Sequence, residues 1–345
     1  MTEIAIIGDH FMLPDAFEQS LLAVCDTDIN IKKMTQPWPD EPMEHGYAVE
    51  GMQGLKEYMG DPDEIVEFID RSEVLITHLA PISVAMLEKL KQLKFIAVSR
   101  GGPVNIDMNA TRERGITVVN TPGRNASAVA EFTLGAMLTE TRKIRVGHEA
   151  LRQGQWRGDL YRADTTGREL NELTIGVIGY GDIGKRVVKL LTAFGATVLV
   201  ADPYVQLSAD DMANGVKLLE LGKLLEQSDV VTMHARVTEE TEQMMNRETF
   251  DKMKPGSLFI NTARGPLVDY DALFDALQTG HLGSAMLETF AVEPVPPDWP
   301  LLQLPNVTLT PHIAGASVKT VTYAADQAAM EVNRYLNGLE PINMK

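Results

Sequence analysis

Ile175-Gly-Val-Ile-Gly179-Tyr180-Gly181-Asp182-Ile183-Gly184-Lys-Arg-Val-Val188 is the stretch that decides the fold. An apolar run of strand character meets a glycine turn, and an amphipathic segment of helical character follows. Gly179 permits the tight turn, Gly181 lets backbone approach a pyrophosphate, and Gly184 lets the helix pack close to the sheet. A dinucleotide phosphate set on Tyr180, Gly181, Asp182, Ile183 and Gly184 would meet free amides at the positive end of the helix dipole. The next apolar run, Val198–Ala201, ends in Asp202, about 20 residues beyond the turn, where an acidic side chain accepts from an adenine ribose diol and repels a 2'-phosphate. The cofactor expected is NAD rather than NADP.

Working outward, short apolar runs alternate with longer amphipathic ones. Strands are expected at Ile4–Ile7, Val74–Thr77, Phe95–Val98, Thr117–Val119, Ile175–Ile178, Val198–Ala201, Val230–Met233, Leu258–Asn261, Ser284–Leu287 and Val307–Leu309. Such alternation gives parallel sheets with helices on both faces. Glycine turns at Gly8 and Gly179 mark two α/β units. Ala126–Arg145 reads as one long helix that could lie between them, and Ser317–Leu336 as a closing helix stopped by Asn337-Gly338. Met244-Met245 reads as core packing on a helix. The proline- and glycine-rich stretch Gln36–Gly54 reads as a long functional loop, and a second proline cluster runs from Pro294 to Pro300.

The chain has 345 residues, enough for two domains. A formal net charge of -17 excludes nucleic acid and an anionic membrane surface as partners, because both demand a basic face. No run approaches the roughly 20 apolar residues of a membrane span, and Met1-Thr2-Glu3 does not start a signal peptide. Cys25 is the single cysteine, so no intrachain disulfide forms, and a reducing, cytoplasmic setting is expected. No His/Asp/Glu cluster in the sequence points to a metal.

Hydride transfer at the α carbon of a 2-oxo acid needs a cation for the carboxylate and carbonyl, a proton donor of near-neutral pKa, and a group that orients the donor. Histidine suits the donor, and a neighbouring carboxylate favours its protonated form. The C-terminal half offers Arg264, Glu293 and His312, each just past a strand, where open α/β sheets build their sites.

These residues lie within segments similar to those of the D-isomer-specific 2-hydroxyacid dehydrogenases, the family of 3-phosphoglycerate, glycerate/glyoxylate, D-lactate and formate dehydrogenases. The matching stretches are Asn120-Thr-Pro-Gly-Arg-Asn-Ala-Ser-Ala-Val-Ala-Glu131, the glycine turn, Asn261-Thr-Ala-Arg-Gly-Pro-Leu-Val-Asp269, Phe290-Ala-Val-Glu-Pro294 and Thr310-Pro-His-Ile-Ala-Gly315. Together they cover most of residues 70–320. The resemblance implies that Arg264 anchors the substrate, His312 is the acid/base and Glu293 its partner. It implies a substrate domain of residues 1–122 completed by 314–345, and a Rossmann NAD-binding domain of residues 123–313. The expected architecture is two Rossmann-like or flavodoxin-like parallel-sheet domains with a cleft between them, forming a homodimer through the cofactor domain. His234, Thr262, Ala263 and Glu288 fall at the cofactor edge, and Arg100, Gly101, Gly102 and His78 on the substrate side.

Several positions depart from the family pattern. The substrate-carboxylate loop is shortened to Arg100-Gly-Gly-Pro103-Val-Asn-Ile-Asp107, and Pro103 has no amide to donate. Arg100 reads equally as a surface ion pair, and His78 either as a substrate contact or as a half-buried residue bonded to backbone. His234-Ala-Arg236-Val carries an arginine where the family has proline, and Glu288 is one methylene longer than the expected aspartate. A rival reading on the same fold is a non-catalytic NAD sensor resembling the corepressors related to this family.

Overall fold

A computed structural model of the chain describes residues 1–38 and 51–345. These divide into two compact units, Met1–Asn125 with Ala316–Lys345, and Ala126–Gly315. Most of the Gln36–Gly54 loop lies outside the described residues.

The first unit is built on β1 (Thr2–Gly8), β2 (Ile29–Thr35), β3 (Val74–Thr77), β4 (Phe95–Val98) and β5 (Thr117–Asn120). All pair in parallel, in the order β2-β1-β3-β4-β5. Both faces are covered, so the inner strands are buried throughout rather than alternating with polar residues. Ile4 and Ile6 of β1 face a core shared with the helices Pro14–Val24 and Val318–Leu336, while Ala5 and Ile7 face the other core. Ala324, Ala325, Ala328 and Ala329 give the closing helix a small-residue face. It starts one residue after Ser317, whose hydroxyl caps the Thr320 amide at 3.1 Å.

The second unit carries β6 (Thr174–Ile178), β7 (Thr197–Ala201), β8 (Lys217–Leu218), β9 (Val230–Met233), β10 (Leu258–Asn261), β11 (Ser284–Leu287) and β12 (Val307–Leu309). They form a parallel sheet in the order β12-β11-β10-β9-β6-β7-β8. One face is covered by the helices Ala126–Thr141 and Asp182–Ala193, the other by Leu221–Gln227 and Tyr270–Gln278. Strand order reverses between β6 and β9, the place where doubly wound sheets open a ligand crevice at the carboxyl ends of their strands.

Two expectations need correction. Ala126–Arg145 is not one helix: it stops at Thr141, Lys143 turns left-handed at φ 58°, and a second helix runs Ile144–Arg152. The cause is a competing donor. The Arg168 amide takes the Thr141 carbonyl at 3.1 Å, the acceptor that continued helix would have offered Arg145. Met244 and Met245 are not helical either; Met245 bridges to Val268 and is fully buried, so its packing role stands. Among the described residues no helix is long and apolar enough to cross a membrane.

Candidate active site

The glycine turn closes as its residue types require. Gly179 has φ +93°, and a β-carbon there would sit 2.7 Å from the Ala235 nitrogen. On Gly184 it would meet the Gly179 carbonyl oxygen at 2.1 Å, so helix and turn touch. Gly181 has open space where its β-carbon would be. It caps the helix Asp182–Ala193 with no side chain bonded to the first turn, leaving the amides of Asp182, Ile183 and Gly184 without helical acceptors. Asp202 is clamped by two amides, Tyr180 at 2.8 Å and Tyr204 at 3.0 Å. Tyr180 itself is buried, with its hydroxyl on Asp211.

His234 follows β9 across the strand-order reversal. Its backbone amide bonds the Ile178 carbonyl at 2.7 Å and its Nε2 lies 3.1 Å from the Thr232 hydroxyl, while Nδ1 is buried with no partner among the described residues. Burial lowers its pKa to about 3, so it stays neutral and cannot serve as the acid. An open glycine, an uncapped helix start, a fixed strand-end carboxylate and an unpaired buried nitrogen together fit a dinucleotide with a polar ring amide. Thr262 is buried against Thr133 at 2.8 Å, and the Ala263 amide is held by Asn261 at 3.0 Å.

The residues expected to form the acid/base set lie at the ends of β10, β11 and β12. His312, at φ 53°, donates its amide to the Glu288 carbonyl at 3.0 Å. Its Nδ1 lies 2.8 Å from Oε2 of Glu293, whose Oε1 accepts from the Phe290 amide at 2.9 Å. The hydrogen bond to Glu293 outweighs burial and holds the His312 pKa above the ordinary imidazole value. Burial alone would raise Glu293, but the bond to His312 and its charge keep that carboxyl below the usual range. Arg264 is exposed after β10; one Nη1 bond goes back to the Ala263 carbonyl at 2.7 Å, and its backbone oxygen accepts from Asn261 at 3.1 Å. Gly265 is pressed on the Phe290 carbonyl and admits no side chain. Glu288 is buried beneath this loop, and its carboxylate accepts from the Ile313 amide. The extra methylene thus reaches the histidine loop. Burial raises the Glu288 pKa.

Arg100, Gly101, Gly102 and His78 form a separate group within the first unit. Arg100 bonds the Glu57 carbonyl at 2.8 Å and the Glu57 carboxylate, so its pairing is internal. Gly101 and Gly102 are exposed with open space above them. His78 is almost wholly buried rather than half-buried, and its partners are side chains: Nδ1 lies 2.6 Å from Asp9 and Nε2 3.2 Å from Arg124. Sequence reasoning passed over Asp9, Glu57 and Arg124. Their only signal was position, Asp9 directly after the Gly8 turn and Arg124 inside a matched stretch. Among the described residues no group of three His, Cys, Asp or Glu side chains could hold a metal ion.

Comparison with known proteins places the chain in a family. Residues 134–314 match the D-isomer specific 2-hydroxyacid dehydrogenase, NAD binding domain. A glyoxylate reductase of Thermofilum pendens is 36% identical over 287 residues, covering 83% of this chain and 85% of that one. A D-3-phosphoglycerate dehydrogenase of Archaeoglobus fulgidus is 36% identical over 81% of this chain and 51% of its own length. The crystal structure of an Aquifex aeolicus D-lactate dehydrogenase complexed with NAD and lactic acid is 27% identical, covers 96% of both chains and superposes with a TM-score of 0.71. The chain therefore belongs to the D-isomer specific 2-hydroxyacid dehydrogenases, NAD-dependent oxidoreductases of hydroxy acids, and its second unit contains the family's NAD-binding domain.

Proposed function

We propose that the chain interconverts a small D-2-hydroxy acid and its 2-oxo acid, with His312 as acid/base, Glu293 as its partner and Arg264 as the anchor for carboxylate and carbonyl. The observation that carries this is the His312–Glu293 contact of 2.8 Å, made by a carboxylate whose other oxygen is already fixed by backbone. A dinucleotide held there would supply hydride chemistry at C2 of the acid. Glu293 holds the Nδ1 proton and leaves Nε2 of protonated His312 free to donate to the forming alkoxide. In oxidation neutral His312 takes that proton back. Arg264 opposes the charge that develops on the oxygen. Gly179 to Gly184 would seat the phosphates, Asp202 the adenine ribose, and His234, Thr262, Ala263 and Glu288 would border the nicotinamide. In this reading residues 1–122 and 314–345 serve the substrate, with the Gly101 and Gly102 amides offered to its carboxylate, and residues 123–313 serve the cofactor.

The chain acts as a homodimer in this account. Ile144, Leu151, Trp156 and Tyr161 leave apolar surface exposed along one segment of the second unit, Trp156 at 86% and Tyr161 at 95%. Large apolar side chains left this exposed are what a second copy of the chain would cover in that dimer. A lone, partly buried cysteine supports a reducing, cytoplasmic home.

The test is NADH consumption across a panel of 2-oxo acids, phosphorylated and not. Reduction of at least one acid, abolished in His312→Ala, is expected. NADH binding without reduction of any acid would move the reading to a sensor.

A further inference from the structure

The first sheet has its own strand-order reversal, between β1 and β3. Doubly wound sheets bind ligands at the carboxyl ends of the strands flanking such a point. Asp9 follows β1 and His78 follows β3, so their contact of 2.6 Å stands at that point. Arg100 follows β4, the next strand over.

Asp9 is fixed first. Its Oδ1 accepts from the Phe11 and Met12 amides at 2.8 and 2.7 Å, which leaves Oδ2 for His78. Burial would raise its pKa, but the hydrogen bond from His78 and those from the Met12 and Phe11 amides outweigh it, so Asp9 is ionised. Burial also pulls the His78 pKa down to about 4, and the ring is neutral at neutral pH. A neutral ring beside a carboxylate keeps its proton on Nδ1 and turns a bare Nε2 outward. That lone pair receives Nη2 of Arg124 at 3.2 Å. The relay therefore aims a guanidinium.

One arm of that guanidinium is left over. Nη1 of Arg124 is buried and has no hydrogen-bond partner among the described residues. Arg100 lies near enough for like charges to oppose each other, and burial and Arg100, set against the favourable charges of Asp9 and Glu57, lower the Arg124 pKa to about 9, still cationic at neutral pH. A buried N–H with no acceptor is costly, and more so on a charged group. The neighbouring segment adds to this: the Asn120 side-chain Nδ2 donates to the Gly101 carbonyl at 2.6 Å, and the Thr121 backbone amide donates to the Arg100 carbonyl at 2.9 Å. Asn120 Oδ1 and the Thr121 hydroxyl are likewise buried without partners.

We infer that Arg124, aimed by Asp9 and His78, is the anchor of an oxyanion site on the first unit, taking the carboxylate or phosphate group of an acid. Asp9 and His78 are positioning residues, while Arg124 touches the ligand. Planar guanidinium matches carboxylate and phosphate oxygens through paired N–H donors, which lysine cannot reproduce. That the anion belongs to the substrate rests on the dehydrogenase reading above; that the site binds an oxyanion does not.

Two measurements test it and separate those claims. Calorimetric titration of the full chain with oxalate and with inorganic phosphate should show saturable binding of at least one. Arg124→Gln should weaken that binding tenfold or more, with NADH affinity unchanged as proof that the protein is folded. Arg124→Lys should fall between the two, and His78→Gln should weaken binding while leaving the arginine in place. Absence of saturable binding in the parent protein, or equal binding by Arg124→Gln, overturns the site. Steady-state KM values for matched 2-oxo monocarboxylates, dicarboxylates and phosphorylated acids then locate the anion. A rise in Arg124→Gln confined to the doubly anionic acids assigns Arg124 to the distal group, and a rise shared by all assigns it to the carboxylate beside the carbonyl. Weakened oxalate or phosphate binding with no acid reduced by the parent enzyme leaves the oxyanion site standing and removes the substrate reading.

Discussion

A β-carbon on Gly184 would lie 2.1 Å from the carbonyl oxygen of Gly179, so the helix that begins the cofactor cradle rests directly on the turn that forms it. Gly181 between them has nothing within 4 Å of the same point. The glycines therefore do different work, and substitution separates them. Gly184→Ala must push helix from turn and should lose on the order of 1–3 kcal/mol of stability, read by denaturant unfolding. Gly181→Ala should unfold like the parent but bind NADH at least tenfold more weakly, read by nicotinamide fluorescence.

In the proposed site Asp202 selects the dinucleotide. Its carboxylate is held by the amides of Tyr180 and Tyr204, with Asp211 nearby on Tyr180. Asp202→Ser removes a charge that opposes a 2'-phosphate. The ratio of kcat/KM for NADPH over NADH should rise tenfold or more, and an unchanged ratio would remove Asp202 from the ribose site.

If His312 is the acid/base proposed, its pairing with Glu293 sets the pH dependence. His312 is held above the ordinary imidazole value and Glu293 below the ordinary carboxylate value. The reductive reaction uses protonated His312, so its rate should be steady at lower pH and fall as pH rises through the raised value; the oxidative reaction should run oppositely. Stability follows the same signs. The His312 contribution is complete below its unfolded value of about 6.5 and is lost as pH rises through the folded one. The Glu293 contribution is complete above its unfolded value and is lost as pH falls through the lowered one. Glu293→Gln should shift the reductive pH limb downward and cut kcat/KM by about 10–100-fold.

Much of this was legible in the sequence, for physical reasons. Strands buried on both faces, such as Val74–Thr77 and Val230–Met233, appear as unbroken apolar runs. Ile29–Thr35 was passed over because it is an edge strand, carrying Lys32 and Lys33 where one flank faces water. Lys217–Leu218 is too short to leave a pattern. The helix break after Thr141 depends on Arg168, 27 residues away along the chain, and no local period reports it. Arg264, Glu293 and His312 were visible because each lies just after a strand within a matched motif. The Asp9–His78–Arg124 relay was not, since its members come from three distant segments and acquire meaning only where the sheet gathers them.

Arg264 should prove an anchor rather than a scaffold residue. Its side chain is exposed and, among the described residues, bonds the neighbouring Ala263 carbonyl. Arg264→Gln should leave the unfolding midpoint nearly unchanged while lowering kcat/KM by about 10²–10³-fold, the scale of one lost charge-stabilising group. Substantial unfolding with little kinetic loss would reverse that assignment.

The most direct measurement of the central claim uses NADH doubly deuterated at C4 of the nicotinamide, with mass spectrometry of the 2-hydroxy acid formed. Direct hydride transfer predicts one deuterium at C2 of the product, and a loss of turnover in His312→Ala of about 10²–10⁴-fold with NADH still bound. Product lacking deuterium at C2, or His312→Ala turning over like the parent, would contradict it.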